Sequence, residues 1–198
     1  MGGEAASDNW FVRGGVSSLD VAASNTGMKY AAEKRMGLIA LAILVLDQWT
    51  KWVVVRRLAL GAEQEFLPGF FKFVHWGNTG AAWSTFHGSN GALAVVSFAA
   101  LGLLYWARRH FEGDRPAGQI ALGLVFGGIL GNLVDRIARG HVVDFLYFHV
   151  IRRDGELLGF PAFNVADSAI CTGVGIIFVL SWWLRPEGPM AASAGAGR

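Results

Sequence analysis

The chain has 198 residues, 53% of them hydrophobic and 16% charged, with a mean hydropathy of +0.40. That is too apolar for an ordinary soluble domain. A net charge of +2, with no basic stretch interleaved with aromatics, speaks against nucleic-acid binding, and a single cysteine, Cys171, excludes an intrachain disulfide.

Residues 1–30 are rich in Gly, Ala, Ser and Asn and hold no apolar stretch long enough for a secretory signal. They read as a disordered leader or an artefact, with Met28 as an alternative start, because Lys29, Lys34 and Arg35 then lead into the first apolar run. A helix crosses a bilayer with about 20 mostly apolar residues. Four segments meet this, at about 36–55, 92–107, 118–134 and 165–184, and the second and third need flanking residues to reach full length. They define a four-span membrane domain over 31–186, followed by a flexible cytoplasmic tail over 187–198. Eight Trp suit a chain with two membrane interfaces.

The connections between spans are unequal. The second and third spans are joined by a short basic loop, 108–116, while the other two connections, 56–91 and 135–164, are long. Both long connections contain strand-like runs, at 70–76 and 141–151. Asp154-Gly155 suits a hairpin turn leading back into 157–160. Four spans place both long connections on one face, where they build a small extracytoplasmic β-rich subdomain. Outside the spans, the face carrying the termini holds nine Lys and Arg and the other seven, so the positive-inside rule points to cytoplasmic termini by a small margin.

Several polar residues interrupt or border the apolar runs. In the first span, Asp47 and Lys51 stand four apart, so they can neutralise each other on one helix face. The alternative is that either holds the outer subdomain or a lipid headgroup. Asn78 and Asn164 read as turn formers, although an amide can also hold an extended peptide. Gly123, Gly127 and Gly131 recur every four residues and permit close helix packing. Asn132, Asp135 and Arg136 end the third span, either as a polar lattice beneath a site or as an interfacial anchor. Asp144 and Asp167 sit at the edges of apolar segments, where a carboxylate loses hydration. Each alone could be a cap or an ion-pair partner. Brought together, one would hold a proton while the other stays a base, which is the equipment of an aspartic protease. The five His show no zinc spacing, and neither a Gly-x-Ser-x-Gly elbow nor a His close to Cys171 in sequence supports a nucleophile. The rival readings are a proton-coupled transporter using Asp47, Lys51, Asp144 and Asp167, and a non-enzymatic membrane scaffold.

Five blocks occur in order: Asp47-Gln48-Trp49-Thr50-Lys51, Asn78-Thr79-Gly80-Ala81-Ala82, Gly131-Asn132-Leu133-Val134-Asp135-Arg136, Gly140-His141-Val142-Val143-Asp144-Phe145 and Phe163-Asn164-Val165-Ala166-Asp167. Over about 36–184 the chain resembles lipoprotein signal peptidase, the signal peptidase II of bacteria. The resemblance implies a multi-pass enzyme of the bacterial inner membrane with cytoplasmic termini and an active site near the outer leaflet. It implies Asp144 and Asp167 as the catalytic dyad. Asn78, Gly80, Asn132, Arg136 and Asn164 would line or brace the substrate site, and Asp47, Lys51 and Asp135 would support it. The implied substrate is a diacylglyceryl-modified prolipoprotein cut before its lipidated Cys. The enzyme would act as a monomer among membrane phospholipid, with no cofactor, metal or nucleic acid. One departure is Trp83, where the family more often has Phe; the larger indole would reshape the loop over the substrate.

Overall fold

A computed structural model describes residues 18–80, 90–112 and 115–183. The chain divides into two units, residues 1–31 and 32–198. Of the expected leader, residues 1–17 lie outside the described residues, and the first helix begins at Ser18. Its Leu, Ala, Met and Lys are adequate helix formers, and a lack of long apolar runs argues against a span, not against a helix. The tail from 187 and Trp83 also lie outside the described residues.

The helices are α1 (Ser18–Arg57), α2 (Asn90–Glu112), α3 (Pro116–Arg139) and α4 (Val165–Trp183). Within them, Thr26–Arg57, Asn90–Arg108, Pro116–Arg139 and Val165–Trp182 are long and apolar enough to cross a membrane. The second and third spans extend into flanking residues, as their sequences require. Helix α3 opens on Pro116, where a missing N–H costs nothing, and closes on Gly140 in the left-handed conformation (φ 76°). It is the most buried span, because glycines let neighbours approach on two sides. A Cβ built on Gly127 would lie 2.7 Å from the Ala40 carbonyl oxygen of α1, and one on Gly128 2.5 Å from the Ala166 carbonyl oxygen of α4.

The long connections meet in one antiparallel sheet of strands β1 (Glu63–Leu67), β2 (Phe71–Asn78), β3 (Val142–Ile151) and β4 (Leu157–Gly159), in that spatial order. Each connection gives one hairpin, and pairing of β2 with β3 joins them. The turn after β3 contains Asp154-Gly155, with Gly155 at φ 83°. Strand β1 has no counterpart among the expected strands. Every residue of it is exposed, so no alternation marks it, and backbone pairing to β2 carries it. Val54 at the end of α1 packs with Val143 and Phe145 of β3, which docks the sheet on the helices.

Candidate active site

Asp144 is the third residue of β3, and the strand before it is fixed from below: the Val143 N–H donates to Asp135 Oδ2 (3.1 Å). Opposite, Phe73 pairs with Leu146 but Trp76 pairs with Asp144, so β2 carries one extra residue between these pairs. A one-residue bulge exchanges the faces of the strand beyond it, which brings Asn78 to the face of Asp144. Asn78 Nδ2 donates to Asp144 Oδ2 at 2.9 Å, and its Oδ1 accepts the Gly80 N–H at 2.9 Å, closing a turn that ends the strand.

Asp167 lies in the first turn of α4, and Asn164 caps that helix. Asn164 Oδ1 accepts the Asp167 N–H (3.0 Å), while Asp167 Oδ2 accepts the Asn164 N–H (3.2 Å). This reciprocal pair is a capping box with Asp in the acidic position. The amide end of the same Asn164 donates to Asp144 Oδ1 at 2.8 Å. One buried side chain therefore touches both aspartates. Asn132 completes the bridge: its Nδ2 donates to Asp167 Oδ1 (2.7 Å) and its Oδ1 accepts from Asn164 Nδ2 (3.2 Å).

Beneath this pair lies a buried charge lattice. Lys51, Asp47 and Asp135 are fully buried. Lys51 Nζ contacts Asp47 Oδ2 at 2.8 Å, Asp135 Oδ2 at 2.9 Å and Asn132 Oδ1 at 3.0 Å. The pairing of Asp47 with Lys51 expected from their spacing is present, and Asp135 joins it. Asp47 Oδ1 accepts the Ala166 N–H at 2.9 Å. Each supporting carboxylate thus grips the backbone N–H just ahead of one of the two aspartates, Ala166 before Asp167 and Val143 before Asp144. Gln48 and Arg139, absent from the expected set, hold Asp135 from the other side.

Asp144, Asp167, Asn78, Gly80, Asn132 and Arg136 line one cavity of about 830 Å³, which Trp76, Phe160 and Phe163 wall with aromatic rings. Asn164, Asp47, Lys51 and Asp135 do not line it and act from behind. Arg136 bonds the Asn132 carbonyl (3.4 Å), and its Nε is buried without a partner. Burial pushes the Asp144 carboxyl up to about 7, with the nearby Asp167 charge adding to the effect and the two asparagine amides opposing it. A carboxyl poised near neutrality beside a second carboxylate can hold and release a proton at ordinary pH.

The family model described as signal peptidase (SPase) II matches residues 39–183. The lipoprotein signal peptidase of Symbiobacterium thermophilum is 46% identical over 145 residues, 72% of this chain and 90% of that protein. That of Bacillus subtilis is 37% identical over 143 residues, 72% and 89% of the two chains. A bacterial membrane enzyme structure determined by the in meso method at 2.3 Å resolution superposes with a TM-score of 0.63 at 31% identity, covering 74% of this chain and 86% of that one. The likeness runs through all four spans and the sheet between them: the chain belongs to the signal peptidase II family of bacterial membrane peptidases.

Proposed function

We propose that the protein is an aspartic endopeptidase that removes signal peptides from diacylglyceryl-modified prolipoproteins, cutting before the lipidated Cys, with Asp144 and Asp167 as its dyad. The observation that carries this reading is Asn164, which from behind a single cavity donates its side-chain amide to the Asp144 carboxylate and its backbone N–H to the Asp167 carboxylate, both of which line that cavity. Asp167, in the first turn of α4 where the helix dipole favours the charged form, is the base, and Asp144, off the helix on β3, holds the proton. Asp167 takes a proton from a water that attacks the scissile carbonyl. Asp144 polarises that carbonyl and passes its proton towards the leaving nitrogen. Arg136, whose Nε has no partner, faces the peptide with its remaining donors. Acyl chains of the substrate stay in the bilayer and set the depth of the scissile bond.

The sheet is proposed to lie on the extracytoplasmic side with both termini cytoplasmic. The enzyme is proposed to act as a monomer. Family membership is that of a peptidase, and the transporter alternative has no support beside it. The test is purified protein with a synthetic diacylglyceryl precursor and its unlipidated counterpart. Cleavage before the Cys of the lipidated form, with little of the other, is expected. Equal cleavage of both, or of neither, overturns the substrate assignment.

A further inference from the structure

Among the described residues, strand β2 leaves one rung of its outer edge open where it enters the cavity. Successive residues of a strand turn their N–H and C=O groups to opposite edges. The His75 N–H donates to the Ala62 carbonyl (3.0 Å) and the His75 carbonyl accepts the Gly61 N–H (2.7 Å), so His75 faces the β1 edge. Gly77, two residues on, faces the same edge. The other side of the sheet gives the same answer independently. Gly77 stands opposite Val143, whose N–H donates to Asp135 and whose carbonyl accepts from Asn164 Nδ2 (3.3 Å), so these two residues exchange no bond. Yet β1 begins its pairing at Glu63, opposite Val74, and no described strand continues beside Gly77. Gly77 is exposed and lines the cavity that holds Asp144 and Asp167.

We infer that this open rung is where the extended substrate peptide joins the sheet, one residue beside the scissile bond pairing with Gly77 through its backbone. The inference rests on the peptidase reading and adds how the peptide is held. The rung is confined to one residue, because the Asn78 side chain closes a turn on the Gly80 N–H immediately beyond it. A side chain there would crowd the His141 ring, since a Cβ on Gly77 would lie 2.9 Å from it. Strand addition recognises main chain and is indifferent to side chains, which leaves the lipidated Cys to set the register.

Whichever direction the peptide runs, one substrate N–H meets the Gly77 carbonyl and one substrate carbonyl meets the Gly77 N–H. Two measurements test this. In the first, hydrogen exchange at the Gly77 amide is followed with a lipidated precursor peptide whose scissile amide is replaced by a methylene-amine. Exchange slowed at least about tenfold at saturation is expected. In the second, cleavable precursors carry a single amide-to-ester replacement at each position in turn near the scissile bond. One position should lose roughly three- to tenfold in kcat/KM, carried by KM, the loss of one net hydrogen bond. Unchanged Gly77 exchange, or kcat/KM within about 1.5-fold at every ester position, overturns the inference. Protection of Gly77 with no cleavage of the parent precursor instead keeps the rung and removes the peptidase reading.

Discussion

Lys51 Nζ has three donors, and Asp47, Asp135 and Asn132 supply three buried acceptors within 3.0 Å. Replacing it with Met would leave two carboxylates buried without their shared cation, a loss of about 3–5 kcal/mol. Lys51→Met should therefore lower the melting temperature sharply in detergent and release the N–H groups of Ala166 and Val143 that orient the dyad. Asp144 behaves in the opposite sense. Its folded value of about 7 lies above the ordinary 3.8. The stability it contributes is complete below about pH 4 and is lost as pH rises through about 7. Asp144→Asn, always neutral, should thus melt higher than the parent protein at pH 8 and no higher at pH 4. Precursor cleavage should fall at least about a hundredfold in this variant and in Asp167→Asn, the scale of a lost acid or base. A melting temperature unchanged or lowered at pH 8 would contradict the burial argument. Cleavage by the parent protein should also decline as pH rises beyond about 7, where Asp144 loses the proton it lends. A rate flat from pH 6 to 9 would contradict Asp144 as the acid. The sequence carries the Asp47–Lys51 pair openly, because four residues on a helix is a fixed geometry. It cannot show that Asp135 and Asn132 close on the same ammonium, for they come from another helix more than eighty residues away. The contacts of Gln48 and Arg139 with Asp135 are hidden in the sequence for the same reason, since each reaches its partners across or along α3 only after packing.

Helix α3 does the positioning, and its glycines are the means. With no side chain at Gly127, the α1 backbone comes close enough to bring Asp47 beneath Ala166. A methyl there would meet the Ala40 carbonyl, which is backbone and cannot swing aside. Gly127→Ala should cost about 1–3 kcal/mol by overpacking. Gly175→Ala in α4, where a Cβ meets nothing within 4 Å, should leave the melting temperature unchanged or raised. Equal effects at the two glycines would mean that close approach of α1 is not what fixes the site. The spans are legible in sequence because about twenty apolar residues have one reading in a bilayer. The Asn164-to-Asp167 spacing ahead of an apolar run is a helix-start signal too, and it links a turn former to a catalytic candidate. Strand β1 and the bulge in β2 are different in kind. An exposed strand has no apolar period, and a bulge is a property of two paired strands, so neither exists until the connections meet.

At the scale of the whole membrane unit, direct pairing of β2 with β3 constrains topology more strongly than charge does. One strand comes from each long connection, so both connections share a face of the membrane, and the short connection between α2 and α3 lies on the other. Counting Lys and Arg separates these faces by only nine to seven, and the rule behind the count weighs short loops most, where Arg115 stands at the start of α3. The proposed function gives the orientation its sign: a peptidase acting on an exported precursor would carry the sheet and the two aspartates outside. This is testable without turnover. In a Cys171→Ser background, Arg153→Cys places a thiol in the exposed turn between β3 and β4, and Arg115→Cys places one at the exposed entry to α3. Intact cells, or spheroplasts where an outer membrane is present, should label the first with a membrane-impermeant maleimide. The second should react only after permeabilisation. The reverse pattern would put the dyad on the cytoplasmic side, where no exported precursor could reach it, and the proposed substrate would fall with the orientation.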